Sequence, residues 1–149
     1  MSGFKNTLTV ALFVLGLICV YYFRPEWLGS MQPLSETSLR VVVVTDGEEY
    51  NLWETINFTV CIVNDEPYAI GIRPPNRFTR CVRNETGQLE TGYDACIDWV
   101  ARNIIVPPRS EHRFKGRPFK DSFKPASKGT YTIHVELDGK SAKATVVVS

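Results

Sequence analysis

KGTYTIHVELDGKSAKATVVVS, Lys128 to Ser149, holds two runs of alternating apolar and polar residues around Asp138-Gly139. Side chains of a strand alternate between its faces, and Asp-Gly supplies the two positive-φ positions of a two-residue hairpin turn. Turning there pairs Leu137 with Lys140, Val135 with Ala142, Ile133 with Ala144 and Tyr131 with Val146. These pairs are nearly all apolar and share one face. The other face pairs Glu136 with Ser141, His134 with Lys143 and Thr132 with Thr145. Turn and core select the same register, which predicts a half-buried antiparallel hairpin at the end of the chain.

Upstream the period of two continues. Leu39 to Thr45 contains four consecutive valines, consistent with a strand buried on both faces. Thr55 to Val63 alternates, with Ile56, Phe58, Val60 and Ile62 on one face and Thr55, Asn57, Thr59 and Cys61 on the other. Tyr68–Arg73 and Phe78–Arg83 flank Pro74-Pro75, Ala95–Val106 ends at Pro107-Pro108, and Ser110–Lys115 is a weaker candidate. About seven or eight short strands, punctuated by Gly and Pro and without a helical period, predict an all-β fold, an antiparallel β-sandwich over residues 39–149. LWETINFTVCIVNDEPYAI, Leu52 to Ile70, resembles the second and third strands of prokaryotic immunoglobulin-like modules, and Lys128–Ser149 resembles their closing hairpin. The pattern is nearest to the sandwich of the intracellular proteinase inhibitor family. The resemblance implies an immunoglobulin-like fold; its residues are structural, so it implies nothing specific about activity.

Before the sandwich lies Thr7 to Phe23, TLTVALFVLGLICVYYF, which carries no charge. At ~1.5 Å per residue it reaches about 25 Å, and Phe4 on one side with Tyr21, Tyr22 and Trp27 on the other extend it toward a ~30 Å hydrocarbon core. The segment Cys19-Val20-Tyr21-Tyr22-Phe23 offers no small residues for signal cleavage, and Ile18 rather than a small residue precedes Cys19. The expectation is one retained transmembrane α-helix within residues 1–28, ended by Arg24-Pro25, then a polar linker at 29–38. Lys5 and the terminal amine outweigh Arg24, which Glu26 offsets, so the N-terminus is expected to be cytoplasmic and the sandwich external.

The chain has 149 residues, a formal net charge of +1 and four cysteines. A near-neutral chain does not fit a dedicated nucleic-acid binder. Cys19 falls in the apolar run, leaving Cys61, Cys81 and Cys96. Pairing Phe78–Arg83 with Ala95–Ala101 so that Cys81 faces Cys96 also sets Phe78 opposite Trp99. That register predicts a Cys81–Cys96 disulfide contributing roughly 3 kcal/mol, with Cys61 left over; the alternative is three reduced thiols in a reducing compartment. No pair has the C-x-x-C spacing of a zinc or redox motif, and no metal or cofactor is expected. Asn84-Glu85-Thr86 and Asn57-Phe58-Thr59 match the glycosylation sequon, the first at a hairpin loop and the second in mid-strand.

Charge is unevenly spread. No Lys or Arg lies between Arg40 and Arg73, where Asp46, Glu48, Glu49, Glu54, Asp65 and Glu66 fall. From Arg109 to Lys128 the balance reverses, and Phe114, Phe119 and Phe123 are interleaved with the cations. Two readings of this stretch stand: a contact surface built on Arg113, Lys115, Arg117, Phe119 and Lys120, or a solvated loop whose phenylalanines belong to the core. Arg117-Pro118-Phe119 also matches one loop of the chagasin-type cysteine-protease inhibitors, whose other two recognition loops have no counterpart here.

Nothing in the chain predicts an enzyme. His134 faces Lys143 rather than a carboxylate, and Glu111, adjacent to His112, is expected on the opposite face. The expected function is that of a single-pass, membrane-anchored sandwich acting by protein–protein contact, as an accessory or structural subunit of a membrane or cell-envelope complex. The alternative is a protease-inhibitor or ligand-binding module displayed at the cell surface.

Overall fold

The computed structural model describes residues 31–75, 77–96 and 103–149, apart from the side chains of 91–96. It is an antiparallel-rich β-sandwich. One sheet places β1 (Arg40–Thr45) on one side of β3 (Ile56–Asn64), while β8 (Ser110–Arg113) and β9 (Lys120–Phe123) share the other side. The second sheet runs β2 (Glu49–Tyr50), β11 (Lys140–Val148), β10 (Gly129–Leu137), β5 (Arg77–Asn84), β6 (Leu89–Cys96), with β2 parallel to β11. A small antiparallel pair, β4 (Ile70–Ile72) and β7 (Ile104–Val106), completes the strands.

The closing hairpin has the register its sequence dictates, from Leu137↔Lys140 through Tyr131↔Val146. Asp138 (φ 50°) and Gly139 (φ 85°) both occupy the left-handed region, as a type I′ turn requires. Tyr131, Ile133, Val135 and Leu137 are completely buried, and they meet Ile56, Phe58, Val60 and Ile62 of the other sheet in one core. Aromatic contacts tie the sheets together: Phe78 lies 4.7 Å from Phe119, and Phe123 lies 5.9 Å from Tyr131. At the start of β10 the Tyr131 hydroxyl donates to the Ser127 carbonyl at 2.9 Å and accepts from the Ser127 N–H.

Several expectations are corrected. The valines of β1 alternate, with Val41 and Val43 buried and Val42 and Val44 half-buried, because only one face of β1 packs against the core. The expected linker is structured from Gln32 onward: Gln32 bridges Ile72, Leu34 is fully buried, and Lys140 Nζ donates to the carbonyls of Thr37 and Leu39. Two strands absent from the sequence reading, β2 and β9, are short and carry few apolar residues. Of the strand expected over Ala95–Val106, the first residues extend β6 and the last form β7; 97–102 lie outside the described residues.

The expected disulfide register is also replaced. β5 and β6 set Cys81 opposite Gly92 and Cys96 opposite Arg77, and Phe78 faces Ala95 rather than Trp99. The cause is the turn between them. Asn84 N–H donates to the Gln88 carbonyl, Gly87 N–H donates to the Asn84 carbonyl, and Gly87 takes φ 80°. This tight reversal displaces the pairing by four residues, about 13 Å along the strand, beyond the ~7 Å Cα separation a disulfide spans. Cys81 is a free thiol, as is the buried Cys61. The expected membrane span, Thr7 to Phe23, lies outside the described residues, and among those described no helix is long and apolar enough to cross a membrane.

Asn64 is a buried polar side chain of this core, 1% exposed. Its amide donates to the carbonyls of Tyr68, Val106 and Pro107 and its Oδ1 accepts from Glu66 N–H, joining the end of β3 to the loops that flank the β4–β7 pair. Asn64→Leu is expected to lower the unfolding free energy by at least about 2 kcal/mol, since several buried groups lose their partner. Urea denaturation measures this; a loss under about 0.5 kcal/mol would contradict the bracing role.

Candidate functional site

The basic–aromatic stretch is a loop clasped at one residue. Phe114 N–H donates to the Val60 carbonyl and Val60 N–H donates to the Phe119 carbonyl, so β3 holds both ends. Inside the clasp, Phe119 and Lys120 N–H both donate to the Gly116 carbonyl. Phe114 and Phe119 turn inward and stack at 4.2 Å with an interplanar angle of 22°. Lys115, Arg117 and Lys120 are left pointing into solvent, Arg117 with 84% of its side chain exposed.

The expected interface residues therefore separate. Phe119 is 1% exposed and belongs to the core, which corrects its place among the contact candidates. The Arg117-Pro118-Phe119 tripeptide consequently presents Arg117 to solvent and not its aromatic ring. Arg113 is exposed but ion-paired with Glu111 above Cys61, whose thiol burial pushes its pKa up. Lys115, Arg117 and Lys120 remain as one cationic surface.

Beneath the loop lies an ion pair that connects the sheets. Arg80 of β5 meets Asp121 of β9 at 2.5 Å, both side chains only 10% exposed, and the guanidinium carbon sits 5.5 Å from the Phe58 ring centroid. Asp121 also lies 3.6 Å from Arg117 Nε, tying the exposed loop to the buried pair. Cation–π contact and charge pairing together offset the desolvation of Arg80.

His112 occupies the inner face of β8, edge-on to Phe114 at 5.0 Å. Burial, and secondarily Lys115, hold its pKa below the ordinary histidine value. Glu111 is on the opposite face, engaged with Arg113. His134 has a neighbour that sequence reasoning missed: β10 and β5 pair it directly with Cys81 on the outer face. No hydrogen bond joins this thiol and imidazole among the described residues. The signal was the β5–β10 register, which a hairpin-based reading of either strand alone does not contain. Among the described residues no cluster of three or more His, Cys, Asp or Glu is placed to hold a metal.

The two sequons differ. Asn57 Nδ2, the nitrogen a glycan would take, donates to Asp46 Oδ2 at 2.7 Å within β3. Asn84 Oδ1 accepts from the Thr86 hydroxyl and from the Thr86 and Gln88 N–H groups, in a solvent-facing turn.

No protein-family profile matches the chain, and no curated protein matches it. Among solved structures it is similar to the CARDB domain of a Pyrococcus furiosus protein in complex with di-metal ions, with 14% identity, 80% of this chain and 95% of that one covered, and a TM-score of 0.43. It is also similar to a Paenibacillus cycloisomaltooligosaccharide glucanotransferase, with 12% identity, 72% of this chain and 13% of that one covered, and a TM-score of 0.46. A third likeness is to the sporulation control protein Spo0M of Bacillus subtilis, with 17% identity, 76% of this chain and 50% of that one covered, and a TM-score of 0.37. At these values none bears on what this chain binds.

Two outcomes separate scaffold from surface here. Phe119→Ala is expected to destabilise by about 3–5 kcal/mol, whereas Lys115→Glu and Arg117→Glu should stay within about 0.5 kcal/mol of the parent in the same denaturation assay. His112 bears on pH dependence. Its folded pKa is depressed, so the unfolded chain binds more protons, and stability falls as pH drops from about 6.5 through the folded value. His112→Leu should flatten that part of a melting-temperature profile between about pH 7 and 5; an unchanged slope would assign it to other groups.

Proposed function

We propose that the chain is a membrane-anchored immunoglobulin-like domain that works by protein–protein contact, as an accessory or structural subunit of a membrane or envelope complex. The observation that carries this reading is the clasped loop: three exposed cations, Lys115, Arg117 and Lys120, on a backbone fixed to Val60 and a stacked aromatic base. A surface already held in shape loses little conformational freedom on binding, and its charge steers an acidic partner toward it.

The immunoglobulin-like assignment is supported by strand order. β1, β3 and β8/β9 correspond to strands A, B and E of such sandwiches, and β5, β10 and β11 to C, F and G. Tyr131, whose hydroxyl returns to the Ser127 backbone, matches the tyrosine corner at the start of strand F. Anchoring rests on the uncharged run Thr7–Phe23 with its aromatic flank, and the external placement of the sandwich on the Lys5 side bias. In an external domain Asn84 is the better-placed glycan acceptor, because it ends β5 where the chain turns, whereas the Asn57 amide is held by Asp46 in mid-strand.

Membranes carrying the full chain, solubilised in mild detergent, provide the test. Co-purifying proteins in stoichiometric amount are expected with the parent, and reduced retention with K115E/R117E/K120E, the difference being larger at low ionic strength. Equal retention at every salt concentration would place the contact elsewhere. Mass spectrometry of the same material should recover Thr7–Phe23 attached; a mature N-terminus near Gly29 would overturn the anchor.

A further inference from the structure

Trp53 stands where a glycine would be expected. Glu54 N–H donates to the Asn51 carbonyl, closing a four-residue turn with Trp53 in third position at φ 73°. That φ is the one that reserves this position of a type II turn for Gly or Asn, and a bulky side chain there is strained. Burial does not compensate, because Trp53 is 65% exposed. The turn is nevertheless rigid. Glu54 Oε2 accepts from Asn51 N–H, Leu52 N–H donates to the Ser149 carbonyl, and the buried Tyr50 donates its hydroxyl to Asp46.

Acidic residues flank Trp53 in sequence. Glu48, Glu49 and Glu54 are exposed, and among the described residues none is in an ion pair. Val147, which pairs with Glu49 in the β2–β11 ladder, is 46% exposed and adds apolar surface at the same corner. This corner adjoins the end of β11, a strand about 27 Å long whose beginning, at the Asp138-Gly139 turn, lies beside the incoming segment at Ser35 and Thr37. The corner therefore points away from the place where the chain enters the sandwich, and its carboxylates repel anionic headgroups.

We infer that Trp53 is the anchor of a second contact surface, which takes a cationic segment of a partner protein. A guanidinium or ammonium group of that segment lies over the indole face and pairs with Glu48, Glu49 or Glu54, while a neighbouring aliphatic side chain covers Val147. This surface is opposite in sign to the Lys115–Lys120 loop and does not depend on the membrane anchor.

Binding of a fluorescein-labelled peptide of alternating arginine and leucine to the full chain in a non-ionic detergent tests this by fluorescence anisotropy, beside thermal melting of the same samples. Trp53→Gly is expected to weaken binding at least tenfold while raising the melting temperature, because the strain is removed. E48Q/E49Q/E54Q should weaken binding similarly and reduce its salt dependence. K115E/R117E/K120E should leave it intact. Three results would overturn the inference: no binding by the parent, Trp53→Gly binding as tightly as the parent, or Trp53→Gly melting lower. A fourth would as well: self-association of the parent that Trp53→Gly and K115E/R117E/K120E both abolish would make the occupant a second copy of this chain.

Discussion

The alternation of β10 is the constraint on which the sandwich rests. With Tyr131, Ile133, Val135 and Leu137 committed to one side, β11 and β5 can pair with it only in registers that put their own apolar residues on that side. β5 thereby delivers Phe78, Arg80 and Val82 to the interior, and Arg80 reaches Asp121 of the opposite sheet. The position of β9, and with it the base of the cationic loop, follows from that contact and from Val60. Surface and core are thus linked through a few inward-facing positions.

Legibility in the sequence followed the range of the forces involved. The closing hairpin was readable because turn chemistry and apolar period, both local, agree. The inner face of β3 was readable for the same reason. Pairing of β5 with β6 was misjudged because two aromatic and two sulfur partners suggested one register while the turn at Asn84–Gln88 enforced another. In that competition the hydrogen bonds of the Asn84 side chain and the positive φ of Gly87 prevail, since the conformation of a hairpin's turn sets the register of its strands. The Cys81–His134 adjacency, by contrast, needs the pairing of strands fifty residues apart and has no local signature.

The candidate surface was legible in composition and not in geometry. Cations interleaved with phenylalanines could describe an exposed aromatic patch or a loop with a buried base, and only the inward turn of Phe114 and Phe119 distinguishes them. Trp53 was invisible as a special residue, because its backbone angle and exposure are properties of the folded turn. The acidic composition around it was plain from the start, and gained meaning once Glu48, Glu49 and Glu54 proved exposed and, among the described residues, outside any ion pair.

The seating of the entering chain has a mechanical consequence. Tension applied at residue 31 first meets the pairing of Gln32 with Ile72, the Arg73 hydrogen bonds to Met31 and Gln32, and the two Lys140 hydrogen bonds. β1 is loaded only afterwards, and it resists with six cross-strand pairs lying along its length, in shear. The segment 31–39 is therefore a fuse: its release frees nine residues, at most about 30 Å of extended chain, while β1 and β3 remain paired and the sandwich stays closed.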